Sequence, residues 1–258
     1  MTAPLLFITG ASSGIGQEMA LEWARRGGRL ALVARRADEM RAWVAAQGWS
    51  AGRAAVYAAD ARDVAAMTAA GRDCIAAQGL PDVVIANAGI SVGVDLAIES
   101  DLEVLRATFE TNNLGMAATF QPFIAPMRER RAGRLVGIAS VAGIRGLPGH
   151  AAYSLSKAGV ISLCESLRLE MRPFGVRVVT IAPGYIDTPL TRGNSYSMPF
   201  LMPADKFARQ ALDAIAAGVG LRVIPWQMGV VSRLLRILPN WVYDRVLAGR
   251  PRKARREQ

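Results

Sequence analysis

Short apolar runs recur along the whole chain, and stretches with helical periodicity separate them. Most of the runs are almost continuously apolar, which is typical of strands that are covered on both faces of a sheet. The predicted strands are residues 4–10, 29–35, 54–60, 82–89, 134–140, 176–184 and 221–226. The predicted helices are residues 15–27, 37–47, 62–78, 101–129, 152–173 and 204–218. This alternation predicts an α/β fold with one doubly wound parallel sheet of about seven strands and helices on both faces.

No repeat, linker or low-complexity stretch divides the chain, so we expect residues 1–258 to form a single domain. The two cysteines, Cys74 and Cys164, lie far apart and have neither a metal-binding nor a redox spacing. No disulfide and no metal site are therefore expected. The N-terminal residues lack a basic leader, and no run of about 18 uncharged apolar residues occurs. We expect a cytoplasmic protein.

A glycine-rich segment, TGASSGIG at residues 9–16, follows the first predicted strand and opens the first predicted helix. Gly10, Gly14 and Gly16 permit a tight turn and a close approach of the backbone to a ligand. The free N–H groups and the dipole of the following helix attract a phosphate. The spacing is GxxxGxG rather than the commoner GxGxxG, but the position between a strand and a helix predicts a dinucleotide-binding loop.

The end of the second predicted strand indicates which dinucleotide is bound. An acidic residue there would accept hydrogen bonds from an adenosine ribose, but the chain has Ala34, Arg35 and Arg36. Guanidinium groups can bind a 2′-phosphate through two parallel hydrogen bonds. We therefore expect NADP(H) to be preferred over NAD(H). The alternative is that the two arginines only open a solvated helix.

Tyr153 precedes Lys157 by four residues in HAAYSLSKAG, which places both side chains on one face of a predicted helix. The chain has only three lysines among 31 basic residues, so a lysine is unusual here. A nearby ammonium stabilises a phenolate and lowers the pKa of the phenol toward neutrality. The pair predicts that Tyr153 acts as a general acid or base, with Lys157 tuning its proton.

Several motifs together resemble those of the short-chain dehydrogenase/reductase family. The first is the glycine loop, and the second is ANAG at residues 86–89. YSLSK at 153–157 matches the YxxxK motif of the family, and Ser140 lies 13 residues before Tyr153. Asn112 in NNLG and the segment PGYIDT at 183–188 also match. The resemblance covers residues 4 to about 190 and implies a Rossmann-type fold with NAD(P)-dependent oxidoreductase activity.

The resemblance also implies roles for individual residues. Lys157 would hold the nicotinamide ribose as well as tuning Tyr153, and Ser140 would orient the carbonyl oxygen. Asn112 would hold a water that links Lys157 to solvent. Asp60 would contact adenine. The predicted catalytic residues are Asn112, Ser140, Tyr153 and Lys157. The predicted cofactor-binding residues are Gly10, Ser12, Ser13, Gly14, Ile15, Gly16, Arg35, Arg36, Asp60, Ala61, Asn87, Ala88, Gly89, Tyr153, Lys157, Pro183, Gly184, Ile186 and Thr188.

The substrate side is less constrained by the sequence. By the resemblance, residues 190–218 contain the substrate lid, and the methionines, Phe200 and Leu201 in its first part suggest an apolar carbonyl or alcohol substrate. His150, the only histidine, is expected to line the substrate mouth or to face solvent.

Residues 227–258 form an amphipathic and basic C-terminal extension. Val231, Leu234, Leu235 and Leu238 are expected on one helical face. That helix could pack on a neighbouring subunit or over the substrate mouth, or it could lie on anionic lipid. The tail RPRKARREQ could be a solvated end or could bind acidic headgroups.

The motifs favour an NADP(H)-dependent oxidoreductase acting on a carbonyl or an alcohol. The alternative is a protein that binds the cofactor without chemistry, as a sensor or a membrane-associated scaffold. No nucleic-acid reader motif is present, so no nucleic-acid partner is expected. The two hydrophobic helices at about 101–129 and 152–173 predict at least a homodimer, and possibly a tetramer.

Overall fold

The computed structural model describes residues 3–194 and 196–255. Seven parallel strands form the central sheet, in the order β3-β2-β1-β4-β5-β6-β9. The strands are β1 Leu5–Thr9, β2 Arg29–Ala34, β3 Ala54–Ala58, β4 Val83–Ala86, β5 Arg134–Ile138, β6 Arg177–Pro183 and β9 Leu221–Ile224. Two short strands, β7 Ile186–Asp187 and β8 Met202–Pro203, pair separately. The predicted doubly wound parallel sheet is confirmed.

The helices are α1 Gly14–Arg25, α2 Ala37–Ala46, α3 Val64–Gln78, α4 Asp101–Phe109, α5 Gly115–Arg130, α6 Ala151–Met171, α7 Pro189–Arg192, α8 Ala204–Ala217, α9 Trp226–Ile237 and α10 Asn240–Leu247. The structure differs from the predicted helix 101–129 at one place. A π-helical turn, Glu110–Leu114, separates α4 from α5. Such turns are often found at functional sites, and this one contains Asn112.

Two apolar layers enclose the sheet. On one face, α1 and α8 pack side by side and bury residues such as Met19 and Phe207. On the other face, α3, α5 and α6 bury residues such as Phe123 and Val160. Every residue of β1 is buried, as a strand covered on both faces requires. Cys74 and Cys164 are both buried as free thiols within the second layer.

The C-terminal helices differ from the sequence-based expectation. Helix α9 packs on the sheet through Met228, Gly229 and Ser232, which are buried. The sequence placed Leu234 on an apolar face with Val231, Leu235 and Leu238 and left open what covers that face. Leu234 is 55% exposed and lies with Trp226 and Ile237 on the outer side. Since α9 is apolar on both sides, the sequence does not show which side meets the sheet.

Candidate active site

A cleft opens at the carboxyl end of the sheet, between β1 and β4. These neighbouring strands are followed by segments that pass to opposite faces of the sheet, and this switch point is where open α/β sheets bind ligands. The cleft has a volume of about 690 Å³. All the residues predicted to bind cofactor line it except Gly16, and Ser140 lines it as well. Gly16 and Asn112 are buried beneath its wall.

The glycines of the first loop are required by close backbone packing. Gly10 has φ +65°, and a Cβ there would lie 2.8 Å from Ala88 Cα. Gly14 has φ +59° and faces Thr188, on the opposite side of the cleft. A Cβ on Gly16 would overlap the carbonyl oxygen of Gly10. The chain therefore enters α1 tightly, and the N–H groups of the first turn of α1, which lack intrahelical partners, face the cleft.

Asn87 fastens this loop to the fourth strand. Its side-chain Nδ2 donates to the carbonyl oxygens of Thr9 (3.0 Å) and Gly10 (3.1 Å). The Thr9 hydroxyl in turn accepts from the backbone N–H groups of Asn87 and Ala88, both at 3.1 Å. Asn87 therefore positions the loop as well as lining the cleft. The role of Thr9 was missed, and its only signal is its place immediately before the first glycine.

Four charged side chains lie at the far end of the cleft. Arg35 and Arg36 are exposed at its rim, and Arg36 pairs with Glu39 at 3.0 Å. Asp60 lies 3.9 Å from Arg35 and 3.1 Å from Arg62. Burial pulls the pKa of Asp60 upward, but hydrogen bonds from Arg62 and the charge of Arg35 outweigh burial and lower it. Arg62 was not predicted, and it makes this end of the cleft more cationic than the sequence motifs indicated.

Tyr153, Lys157 and Ser140 meet at the other end of the cleft. Helix α6 places the Lys157 Nζ 5.7 Å from the centroid of the Tyr153 ring. Lys157 is buried, and its Nζ donates to the carbonyl oxygen of Ile138 at 2.8 Å. Ser140, at the end of β5, accepts a hydrogen bond from the Ala142 N–H at 3.2 Å. That bond uses only a lone pair of Ser140 Oγ, so the hydroxyl proton is left for the hydrogen bond that Ser140 makes with Tyr153.

Asn112 holds the loop after β4 against α6. Its Oδ1 accepts from the Ile90 N–H at 2.8 Å, and its Nδ2 donates to the Ile90 carbonyl at 3.0 Å and to Ser156 Oγ at 2.9 Å. Ser156 Oγ donates to the carbonyl of Tyr153 at 2.8 Å. A Cβ on Gly89 would lie 3.1 Å from Asn112 Oδ1 and 3.5 Å from Lys157 Nζ, so both side chains border the same glycine.

The burial of these groups changes their proton affinities. Burial raises the pKa of Tyr153, while a hydrogen bond with Ser140 acts in the opposite direction. Burial lowers the pKa of Lys157 from its ordinary value of 10.5 to about 8. The sequence argument expected the Lys157 charge to lower the pKa of Tyr153. In the protein without a bound ligand, desolvation is the larger effect on both groups.

A second group of side chains surrounds the mouth near Tyr153. His150 is buried, its Nδ1 lies 2.9 Å from the carbonyl oxygen of Pro148, and its Nε2 lies 3.2 Å from the Tyr196 hydroxyl. The rings of Tyr185 and Tyr196 are 6.2 Å apart. His150 therefore belongs to the mouth and does not face solvent. This side of the cleft is more polar than the apolar substrate prediction implied.

Comparison with known families decides what kind of cleft this is. The family model described as short chain dehydrogenase matches residues 5–198. The chain belongs to the short-chain dehydrogenase family. The resemblance drawn from the sequence motifs is therefore confirmed, and the protein is an oxidoreductase of this family.

Three relatives illustrate the range of the family. An uncharacterized oxidoreductase of Myxococcus xanthus is 39% identical over 92% of this chain and 93% of its own length. An acetoacetyl-CoA reductase of Acinetobacter is 33% identical over 71% of this chain and 74% of its own. Dehydrogenase/reductase SDR family member 7B of Bos taurus is 30% identical over 98% of this chain and 83% of its own.

Solved short-chain dehydrogenase structures have the same fold. One from Streptomyces avermitilis superposes with a TM-score of 0.78 at 25% identity, covering 93% of this chain and 97% of its own. Levodione reductase superposes with a TM-score of 0.77 at 25% identity, covering 87% of this chain and 96% of its own.

The residues of this short-chain dehydrogenase fit a nicotinamide dinucleotide, the cofactor class of the family. The tight Gly10–Ala88 approach keeps side chains out of this part of the loop, which suits a diphosphate at the N-terminus of α1. The cationic end formed by Arg35, Arg36 and Arg62 suits a negatively charged part of the cofactor. The Tyr153 end, with Gly184 and Thr188 opposite, has room for the nicotinamide.

Proposed function

We propose that the protein transfers a hydride between NADP(H) and a carbonyl or alcohol substrate, with Tyr153 as general acid or base. The observation that carries this proposal is the convergence of Tyr153, Lys157 and Ser140 at one end of the cleft that the glycine loop opens. A protein that only bound the cofactor would not need a phenol, an ammonium and a hydroxyl at that end. The non-catalytic sensor is therefore the weaker alternative.

The bound nicotinamide would supply or accept the hydride, and the chain's own residues would handle the proton. Tyr153 would donate its proton to the carbonyl oxygen in reduction and receive it in oxidation. The hydroxyl of Ser140, which hydrogen-bonds with Tyr153, would donate its proton to the substrate oxygen and orient it. The Lys157 ammonium uses one of its three donors on Ile138, which leaves two for a ribose hydroxyl and for the charge of a Tyr153 phenolate.

The proton on Tyr153 must be replaced after each reduction. Asn112 already makes three hydrogen bonds with its side-chain amide, to Ile90 and Ser156. A relay water would therefore bind the remaining lone pair of Oδ1 or a main-chain carbonyl of the π-helical turn, where the ordinary helical bonding pattern is broken. In this proposal Asn112 positions the relay and does not itself carry the proton.

The preference for NADP(H) rests on charge. Arg35 is 67% exposed in its side chain, and its ion pair with Asp60 is long, at 3.9 Å, so its guanidinium is available to a 2′-phosphate. No acidic side chain at the end of β2 competes for the ribose, because Ala34 occupies that place.

The decisive experiment measures NADPH oxidation against ketones, aldehydes and 3-ketoacyl thioesters, with Tyr153→Phe as the test variant. We expect wild-type turnover on at least one compound and a fall of about 100-fold or more in kcat for the variant. Tyr57→Phe is the matched control, since Tyr57 is half-buried in β3 and bonds Gln78 far from the cleft. NADPH binding without turnover on any compound would favour the sensor. Retained activity in Tyr153→Phe would assign the proton to another group.

We also propose a homodimer through α4 and α6. These helices pack beside each other and expose Leu102, Phe109, Leu155 and Leu169, at 44–60% of their surface. A patch of this kind marks an interaction surface more often than a free one. Light scattering at micromolar concentration should give the mass of a dimer, and a monomer would contradict the proposal. A tetramer would require a second contact surface.

Contact with a membrane surface is a further partner proposal, and α9 supports it. Trp226, Val230, Leu234 and Ile237 are 46–77% exposed on the outer side of α9, and Trp241 in α10 is 74% exposed. Residues 221–250 contain five arginines and one acidic residue. No helix in the described part of the chain is both long and apolar enough to cross a bilayer. The face therefore suits peripheral contact with anionic lipid.

A second copy of the chain is a poorer occupant of this face. Arg222, Arg233 and Arg236 line a groove beside Trp226. A two-fold interface uses the same patch on both subunits, so the three arginines of one subunit would face the same arginines of the other. An anionic surface would instead attract all of them.

Vesicle sedimentation tests whether an anionic lipid surface binds this face of α9. Vesicles containing phosphatidylglycerol should bind the protein at low salt and release part of it at high salt, while pure phosphatidylcholine should bind less. Trp226→Ser with Ile237→Ser should reduce binding to anionic vesicles. Val64→Ser with Leu96→Ser is the matched control, because these side chains are 48% and 58% exposed elsewhere. Equal binding of both double variants, or no binding by wild type, would refute the contact.

A further inference from the structure

The last described residues form a strap, Arg252–Arg255, that packs on Gly93 and Gly149, near the Tyr153 end of the cleft. Gly93 and Arg255 form a parallel β-bridge, and the Gly93 N–H donates to the Ala254 carbonyl at 2.9 Å. A side chain on Gly93 would overlap the carbonyl of Lys253. The Arg252 and Lys253 backbone also packs on Gly149, where a Cβ would lie 2.8 Å from the Lys253 nitrogen. The strap is a docked segment and not a solvated end.

Two ion pairs hold the strap in place. Arg255 binds the Asp101 carboxylate through two hydrogen bonds, at 2.7 and 2.8 Å, and the Asp101 side chain is 6% exposed. Arg252 pairs with Asp95 at 3.0 Å. Asp101 Oδ2 also accepts from the Asp95 N–H at 2.6 Å, so the two acids belong to one network. The hydrogen bonds from Arg255 lower the pKa of Asp101 to about 2, so this network stays charged at neutral pH.

The strap joins the three segments that border Tyr153. The first is the loop after β4, which contains Gly93 and is held to Asn112 through Ile90. The second ends at His150, three residues before Tyr153, and the Val94 N–H donates to the Gly149 carbonyl at 3.2 Å. The third is the lid, in which Asn194 accepts a hydrogen bond from Lys253 Nζ at 2.6 Å. Lys253 therefore stands between the lid and the mouth.

Lys253 is the cation of the strap that the structure leaves without an acid. Arg252 and Arg255 each have a carboxylate partner, but among the described residues Lys253 bonds only the neutral amide of Asn194. Its side chain is half-buried, and burial lowers the pKa of its ammonium. A partly desolvated cation with only a neutral partner is an incomplete site, because a buried charge is normally paired.

Neither His150 nor Tyr196 competes with Lys253 as a hydrogen-bond donor to a substrate anion. His150 Nδ1 faces the Pro148 carbonyl, which only accepts, so this nitrogen carries the proton. Burial lowers the pKa of His150, and the Lys253 charge lowers it further, so the ring is neutral and its Nε2 accepts. The Tyr196 hydroxyl therefore donates to His150 Nε2 and is occupied. Lys253 supplies positive charge beside His150, and Arg250 supplies it beside Tyr185.

We propose that Lys253 binds an anionic group of the carbonyl substrate, a carboxylate or a phosphate, at a subsite completed by Asn194 of the lid. This assignment rests on the proposed oxidoreductase function and narrows its substrate class. The anion would give Lys253 the acidic partner that none of the described residues provides, and it would draw the lid and the strap together over the substrate. A neutral carbonyl compound would gain nothing from Lys253.

The kinetic test compares a 3-oxo acid with its methyl ester, using NADPH. Lys253→Met should raise KM for the acid by about 10-fold or more, with kcat less affected, because a hydrogen bond to a charged group is lost. The ester should be unaffected. Lys206→Met is the matched control, since Lys206 is exposed on α8. An equal loss on acid and ester, or no loss on either, would overturn the proposal.

A binding experiment tests the anion subsite independently of the proposed oxidoreductase activity. The NADPH complex is titrated with three ligands of equal chain length that NADPH does not reduce, an alkyl carboxylate, an alkyl phosphate and an alcohol, and binding is followed by saturation-transfer NMR. Wild type should prefer one or both anions over the alcohol, and Lys253→Met should lose that preference. The stronger of the two anions identifies the group. If wild type turns over no carbonyl compound but keeps this preference, the proposed function fails while the anion subsite stands. If wild type binds anion and alcohol equally, the subsite fails whatever the activity.

Discussion

Lys157 is a charge held in the core, and its replacement by methionine should stabilise the cofactor-free protein. The side chain is 5% exposed, and burial lowers the pKa of its ammonium from 10.5 to about 8. A shift of this size corresponds to about 3 kcal/mol of unfavourable free energy for the charged form in the fold. Methionine has a similar length and no charge. It loses the hydrogen bond to the Ile138 carbonyl, which stabilises by about 1 kcal/mol.

The net expectation is a gain of about 1–2 kcal/mol at neutral pH, which corresponds to a rise in Tm of roughly 2–8 °C for a chain of this length. The stability gain of Lys157→Met must fall as the pH rises. Below about pH 8 both the folded and the unfolded chain hold the Lys157 proton, so the penalty is complete. Between pH 8 and 10.5 the unfolded chain binds more protons than the folded chain, so wild-type stability rises with pH. The variant lacks this rise, and its advantage should disappear toward about pH 10.

Thermal and denaturant unfolding of both proteins at about pH 7 and about pH 10, without cofactor, tests this reasoning. Saturating NADPH provides the internal control. It should raise the Tm of wild type through mass action and raise that of Lys157→Met less, since in the proposed function the variant loses one of several cofactor contacts. A cofactor-free variant that is less stable than wild type at neutral pH would refute the argument. So would an identical dependence of stability on pH in the two proteins.

Three further predictions concern other parts of the molecule. Arg35→Asp should weaken NADPH binding by about 10-fold or more and leave NADH binding equal or tighter, because the 2′-phosphate loses a cation and meets an acid. Fluorescence titration measures both dissociation constants, and Arg41→Asp, at an exposed arginine, is the control. Phe123→Ala should lower the free energy of unfolding by about 3–5 kcal/mol, since the ring is fully buried and its centroid lies 4.8 Å from that of Phe7. A loss below about 1 kcal/mol in denaturant unfolding would contradict this packing. Arg145→Ala should speed proteolysis between α9 and α10. The reason is that Arg145 donates hydrogen bonds to the carbonyls of Leu235 and Leu238 and to the Asn240 side chain. Mass spectrometry of the fragments locates the cleavage site.

The sheet and the Tyr153 end of the cleft follow from local sequence signals. The near-continuous apolar runs identify seven strands, because a strand buried on both faces tolerates few polar residues. The glycine loop and the YxxxK pair are contained within single turns of chain, so their geometry is determined by neighbours in sequence. Tyr153 and Lys157 share a face of α6 for the same reason. These signals also explain why Ser140, at the end of a recognisable strand, could be placed at the site.

The contacts that the sequence did not reveal involve residues far apart along the chain. Arg62 meets Asp60 locally, but its effect on the cofactor cleft depends on Arg35 arriving from another strand. The π-helical turn at Asn112 leaves no periodicity signal, since one extra residue in a helix shifts the apolar pattern only slightly. The outer and inner sides of α9 are both apolar, so only packing distinguishes them.

The C-terminal segment shows how charge alone misleads. The sequence treats the apolar α9 and the basic tail as parts of one surface, yet the structure gives them separate partners. The acids that bind Arg252 and Arg255 lie 157 and 154 residues earlier, so no local pattern could reveal them. Because these pairs engage two of the tail's cations within the fold, we expect attraction to an anionic membrane to come mainly from the arginines around α9. The tail instead belongs to the substrate side, where its remaining lysine faces the lid. Loss of the tail should therefore affect how substrate is held, and loss of the α9 face should affect where the protein resides.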